Sequence, residues 1–336
     1  MVKKAISLVY NSFVRRRNKS FDNHLEPIEQ MKAKVISIGN ISAGGTGKTP
    51  LCEALAQYLL SQNQSVAIAA KGYKGEFSGT LLVRDEAKIF ANVRESGDEM
   101  AMLARKLSIP IAVNKHKYLA AKFLDDTFHP DYILLDDGFQ HRKLHRDLDI
   151  VIIDRQSIEN PNTFPLGRLR EPIENLKRAD VICAYEDVLN DEILLKNLQN
   201  QTAISKDEII GLSTQVLDLL SWQNTLMDRS NRSLLVSGIG NNAKFHKTSK
   251  EFGVDFVGSI NYKDHIAYSE REVAKIIETA QKSKAIQVIT TEKDLVKLQH
   301  FINSFNEAEI ELGYIKIKTT ILNSKNNLFQ IIKNLI

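Results

Sequence analysis

Long apolar runs are missing from this sequence of 336 residues: no stretch approaches the roughly 18 residues a membrane-spanning helix needs, so a polytopic membrane protein is excluded. Cysteine is scarce as well. Cys52 and Cys183 lie far apart, each inside what reads as a regular element, which gives neither a disulfide framework nor a metal-ligand spacing and makes a reducing cytoplasm the default. A surplus of one charge is lacking too, with 45 basic against 41 acidic residues for a net +4, which excludes a nucleic-acid coat. Repeats and low-complexity segments are absent, and the 43% hydrophobic and 26% charged fractions argue against disorder. No signal peptide is expected, because charges interrupt the apolar residues at the start and no small-residue cleavage site follows.

What the sequence does have is an acid-free beginning. Lys3, Lys4, Arg15, Arg16, Arg17 and Lys19 all precede the first acid, Asp22. On a helix, Val2, Ala5, Ile6, Val9, Tyr10 and Phe13 form one stripe, too short to span a bilayer. Such a stripe suits either an ordinary helix packed on a core or one lying in a membrane interface.

At about 150 residues per domain the chain has length for two domains. Short β-branched runs at 35–38, 66–70, 109–113, 132–135, 150–153 and 181–184 alternate with helical patterns. Most lack polar alternation, as expected of strands covered on both faces, and predict a mostly parallel α/β sheet flanked by helices. A polar stretch at 223–232 separates these from a second alternating series at 234–236, 256–260, 285–290 and 314–319. The expectation is a P-loop domain over 1–225, with residues 1–22 as its N-terminal helix, and a smaller α/β domain over 226–336.

The segment KVISIGNISAGGTGKT at 34–49 is a buried strand running into a glycine-rich loop that opens a helix, the context in which a P-loop binds phosphate. Ser42, Ala43, Gly44, Gly45, Thr46 and Gly47 would wrap the phosphates with backbone N–H groups, Lys48 would reach the β- and γ-phosphates, and Thr49 would ligate Mg²⁺. The first glycine of the usual motif is replaced by Ser42. The run YILLDD at 132–137 ends in acids, with Asp136 as the second metal-holding carboxylate and Asp137 as its neighbour. Guanine-reading Asn/Thr-Lys-x-Asp is not found: 114–117 lacks the aspartate and 291–294 has its lysine displaced, so ATP is favoured over GTP.

Asp98, in Gly97-Asp98-Glu99 ahead of an apolar helix face, reads equally as a helix N-cap or as the carboxylate that takes an acceptor's proton. The stretch GFQHRKLHR at 138–146, with Gln140 and His141, lies where ligands bind in open α/β folds, beyond the strand ends. FPLGRLREP at 164–172 carries Arg168, Arg170 and Glu171 between prolines, and Asp264-His265 precedes a helix beginning near Ser269.

These blocks resemble the tetraacyldisaccharide 4′-kinase family, the lipid A kinases of Gram-negative bacteria. The match rests on GGTGKTP, KGYKG at 71–75, SGDEMAMLAR at 96–105, LLDDGFQHRKLHRDLDIVIID at 134–154, PLGRLREP at 165–172, SGIGNNAKF at 237–245, DH at 264–265 and TTEKD at 290–294, in family order. The resemblance implies an ATP- and Mg²⁺-dependent kinase acting on the 4′-hydroxyl of a tetraacylated disaccharide 1-phosphate. It pairs Asp98, as base, with His265, keeps Lys48, Thr49 and Asp136 in their roles, adds Glu171 as a metal-site residue, and puts Asp137, Gln140, His141, Lys71 and Tyr73 on the substrate side. Two departures stand out: the family's Arg-Gly-Tyr is Lys71-Gly72-Tyr73 and an arginine is replaced by Lys117, which keeps charge but loses bidentate geometry. A lipid acceptor also makes the basic N-terminal helix a docking element for an anionic membrane, at the cytoplasmic face of the bacterial inner membrane, with no nucleic acid or obligate protein partner implied. Two other readings stay open, a membrane-associated P-loop ATPase switch and a soluble small-molecule kinase. The switch usually carries an extra early P-loop lysine, and residues 39–45 have none.

Overall fold

The structure, a computed structural model, describes residues 2–72, 76–322 and 328–335. Its strands are β1 (Lys34–Asn40), β2 (Val66–Ala70), β3 (Thr80–Arg84), β4 (Ile111–Asn114), β5 (Tyr132–Asp136), β6 (Leu148–Ile153), β7 (Val181–Tyr185), β8 (Ile209–Ser221), β9 (Ser233–Ser237), β10 (Phe256–Asn261), β11 (Gln287–Thr291) and β12 (Glu311–Ile321). They form one sheet in the order β10-β9-β11-β12-β8-β7-β6-β1-β5-β2-β4-β3. Pairing is parallel except at the edge pair β3–β4 and at β8–β12. The central parallel strands β1, β2, β5 and β6 carry β-branched and aliphatic residues buried on both faces, and helices on each side supply the cover.

Around β1 the chain order reverses. β5 and β2 lie on one side, β6 and β7 on the other, so the loop leaving β1 opens into the crevice where α/β folds bind ligands. The register sets Ile38 of β1 opposite Asp136 of β5, which brings that carboxylate to the strand end beside the loop.

Two strands escape the sequence reading. β3 is a short antiparallel edge, and β8 is a long strand whose burial alternates only in its middle, so neither shows the continuous apolar run that marks its neighbours. β8 also alters the picture at the expected boundary near 225. Its pairing with β12, from Leu212–Ile321 to Ser221–Gly313, makes the sheet continuous across it. The part beyond β8 has its own core, with Leu234, Val236, Val273, Ile276, Val288, Leu298 and Phe305 buried together. The last helix, Leu328–Lys333, returns to the first half: Leu328 and Ile332 are buried with Leu51, Leu55 and Leu59, and Phe329 stacks on Tyr58 at 4.1 Å. Residues 328–335 therefore pack with the P-loop helix rather than with the core of residues 226–310.

Candidate active site

The phosphate loop is built by three constraints. Gly44 and Gly47 have φ of +118° and +88°, values L side chains rarely adopt, and a Cβ on Gly47 would lie 2.3 Å from the Tyr185 hydroxyl. Asn40 Nδ2 donates to Thr46 Oγ1 at 3.0 Å, tying the loop to the end of β1. Ser42 pairs with Leu169 in an antiparallel bridge and is not among the positive-φ residues, which explains why no glycine is needed there. The following helix, Lys48–Ser61, starts after Gly47 with no side-chain cap, so its first N–H groups remain open to an anion.

Below the loop, Asp136 and Asp137 are adjacent in sequence and opposite in character. Asp136 is buried, its Oδ1 has no hydrogen-bond partner, and burial, seconded by Glu99 and opposed by Lys48, pushes its carboxyl up to about 7. An orphaned carboxylate oxygen and the Thr49 hydroxyl, both lining one cleft, are hard-oxygen donors of the kind a magnesium ion takes. Asp137 has φ of +53° and gathers cations: Arg170 Nη1 lies 2.8 and 2.7 Å from its two oxygens, Lys48 Nζ at 3.5 Å and Lys117 Nζ at 3.6 Å. Burial would raise that carboxyl, but Lys117, Lys48 and Arg170 outweigh it and hold it well below the usual range. Asp137, expected on the substrate side, is therefore the clamp that holds Lys48 at the mouth of the loop.

Across the cleft, Asp98 is the first residue of helix Asp98–Lys106, whose N-cap is Gly97. Asp98 is therefore not the cap. His265, at φ of +58°, places Nδ1 3.1 and 3.0 Å from its two oxygens. Lys297 and Lys293 approach Asp98 Oδ2 at 3.6 and 3.8 Å. Burial opposes ionisation, yet the His265 hydrogen bond and the two lysines bring the Asp98 carboxyl down to about 2. Lys293 also meets Glu99 at 3.4 Å and Asp264 at 3.1 Å, while Lys297 pairs at 2.8 Å with the buried Asp294. Lys293 and Lys297 are the charged neighbours of Asp98 that the sequence reading did not place in the site. Lys293 lies within TTEKD, a block of the family resemblance to which no role was attached, and Lys297 lies one helical turn beyond it.

P-loop, acids and dyad line one cleft of about 600 Å³ between the two halves, together with Lys71, Lys117, Arg170 and a wall of Tyr185, Phe245, Ile315 and Ile317. Four expected residues are not brought there, Ser42, which is buried in its bridge to Leu169, and three others. His141 Nε2 accepts from Tyr118 N at 3.1 Å, and burial with the nearby Lys117 and Arg146 pushes its imidazole down to about 3, so it is a neutral packing residue. Gln140 spans Asn40 O at 2.8 Å and Glu171 at 2.9 Å. Glu171, expected at the metal site, is instead 2% exposed, with its oxygens occupied by Arg178 at 2.9 and 3.0 Å, Asn175 at 2.8 Å, Gln140 and Asn18 at 3.1 Å. No lone pair is left for a cation. Tyr73 lies outside the described residues.

The Glu171 assignment is testable by stability. Glu171→Ala strands the Arg178 guanidinium, so urea unfolding should show a loss of about 3–5 kcal/mol. A variant of native stability with an altered magnesium requirement would restore Glu171 to the metal site.

A phosphate loop facing a carboxylate–imidazole pair across a closed cleft defines a nucleoside-triphosphate-dependent phosphotransferase. Comparison narrows the class. The family model described as tetraacyldisaccharide-1-P 4′-kinase matches residues 2–336, and the chain belongs to that family. Similar relatives are the tetraacyldisaccharide 4′-kinases of Chlorobium limicola, 33% identical over 99% of this chain and 97% of that protein, and of Halothermothrix orenii, 32% identical over 93% and 87%. A solved structure of LpxK from Aquifex aeolicus in complex with ATP superposes with a TM-score of 0.79 at 26% identity, covering 100% of this chain and 99% of that one.

Proposed function

We propose that the cleft transfers the γ-phosphoryl group of ATP to the 4′-hydroxyl of tetraacyldisaccharide 1-phosphate, giving lipid IVA, with Asp98 and His265 acting together on the acceptor's proton. Family membership gives the activity, that of a lipid kinase in lipid A biosynthesis. The observation that carries the residue assignment is the Asp98–His265 contact at 3.0–3.1 Å in the same cleft as the glycine loop.

The triphosphate enters along the loop. N–H groups of residues 44–47 and the open helix start receive its phosphates, the Ala43 N–H being taken by Arg168 O, and Lys48 turns from Asp137 to the β- and γ-oxygens, leaving Asp137 still paired with Arg170 and Lys117. Thr49 and Asp136 would hold Mg²⁺, which when bound neutralises charge on the β- and γ-phosphates. Adenine has an apolar wall to lie against in Tyr185, Ile315 and Ile317. Asp98 stays ionised beside Lys293 and Lys297 and fixes the imidazole ring, so that the pair can take the 4′-hydroxyl proton as the oxygen attacks. Because Asp98 and Glu99 come from residues 1–225 and Asp264, His265 and Lys293 from 226–336, the two parts act as lobes that complete the site by closing on it.

The N-terminal helix, Val2–Asp22, supports a membrane-docking role through its exposed apolar residues. Ser7, Val14, Asn18 and Phe21 face the protein, and Tyr10 and Asn18 bond Arg170 O and Glu171, whereas Val2, Ile6, Leu8, Val9 and Phe13 are exposed. Val14 and Phe21 pack inward as on an ordinary surface helix, but the exposed apolar row is not accounted for by that packing. With cations beside this face, the helix suits an anionic lipid surface at the cytoplasmic side of the inner membrane, where both ATP and the lipid acceptor are met. None of the described helices is long and apolar enough to cross a membrane.

The test supplies γ-labelled ATP with tetraacyldisaccharide 1-phosphate in detergent micelles. Label should appear at the 4′-position of the lipid. Label released only as free phosphate, at the same rate without lipid, would favour an ATPase switch.

A further inference from the structure

Phe164 and Leu166 are 61% and 42% exposed at the tip of the 162–170 loop. An exposed apolar side chain standing singly, such as Ile193, calls for no explanation. These two have neighbours. Ser7 Oγ lies 2.9 Å from Thr163 Oγ1 although the residues are 156 apart in sequence, and the Tyr10 hydroxyl donates to Arg170 O at 2.7 Å. The Tyr10 ring meets Phe164 edge-on at 6.2 Å between centroids. Ile6, Tyr10 and Phe13 succeed one another along one side of the helix, so the loop tip borders the exposed apolar face. Exposed Lys3, Lys4, Arg16 and Arg168 lie on the same two segments, and no acid precedes Asp22.

We propose that Phe164 and Leu166 form a second prong that enters an anionic bilayer surface beside the N-terminal helix. This rests on the docking role given to that helix. A helix lying in an interface can roll about its own axis, and a second contact off that axis removes the freedom. The loop also reaches the phosphate site: Ala43 N donates to Arg168 O at 2.8 Å, Arg168 Nε donates to Ala43 O at 2.9 Å, and Leu169 bridges Ser42. One end of a short bonded segment thus sits in the bilayer and the other holds the phosphate loop, which fixes the height of the loop above the headgroups where a lipid acceptor presents its sugar. The cations at the margin commit the surface to anionic lipid.

The experiment compares three full-length proteins for co-flotation with phosphatidylglycerol-containing vesicles: wild type, Val9→Asp/Phe13→Asp in the helix, and Phe164→Asp/Leu166→Asp in the loop. Each double variant should partition at least about tenfold more weakly than wild type, as expected from losing two apolar side chains from the lipid phase. The loop variant should keep the wild-type melting temperature and KM for ATP. If wild type floats and the helix variant does not, a loop variant that floats as wild type overturns the loop proposal alone. Wild type that fails to float overturns both. A second measurement exploits the full burial of both native thiols. Leu166→Cys labelled with an environment-sensitive dye should shift to the blue on anionic vesicles, while Leu226→Cys, exposed on the turn that follows β8, should not. A shift at both positions, or at neither, contradicts insertion of the loop.

Discussion

Asp98→Asn should lower kcat for phosphorylation of the lipid by a factor on the order of 10³ while leaving KM for ATP within about threefold of wild type. The substitution keeps the shape of the side chain but removes the charge that fixes His265 and that helps accept the hydroxyl proton. Collapse of the fold is not expected, because Lys293 retains Glu99 and Asp264 and Lys297 retains Asp294. Steady-state kinetics with each substrate varied, set beside a thermal melt, separates the two effects. A variant that turns over at the wild-type rate removes Asp98 from the chemistry.

Lys48→Ala should be at least as damaging, with kcat/KM for ATP reduced on the order of 10³ or more. Here the loss falls on the phosphates rather than on the acceptor, so the kinetic signature differs: binding of ATP and the chemical step should weaken together. Stability should hold, since Asp137 keeps the Arg170 contacts at 2.7 and 2.8 Å and Lys117 at 3.6 Å. Nucleotide-binding titrations alongside kcat/KM test this. Undiminished transfer would mean that the cation at the loop mouth is supplied by Lys117 or Arg170 instead.

The two predictions draw on features of unequal legibility. The phosphate loop could be read from residues 34–49 because glycine conformations, the strand before and the helix after are local properties of the chain. Asp136 was legible as a strand-end acid, but its opposite number Asp137 was not: only the three-dimensional arrival of Arg170, Lys48 and Lys117 makes it a cation clamp. The same reason underlies Glu171. A charged residue between prolines reads as available, and nothing in the sequence announces that Arg178 and the side-chain amides of Asn18, Gln140 and Asn175 converge on it. Asp98 and His265 are 167 residues apart, and residue types alone left Asp98 open between cap and base and His265 without a defined role; the family resemblance paired them. Lys293 was read only within its motif and Lys297 not at all, because a lysine on a short helix is usually solvated, and burial against Asp98 is a property of the closed cleft. At the level of the fold, fully covered strands were visible as apolar runs, whereas β8, alternating and partly exposed, was not, and with it the continuity of the sheet.

A double-mutant cycle between Asp98 and His265, read on kcat for transfer to the lipid, tests the central claim most directly. If the two side chains act as one unit, Asp98→Asn/His265→Gln will be no more than about threefold slower than the worse single variant. Losses that multiply, so that the double variant is slower by the product of the two single effects, would contradict the dyad.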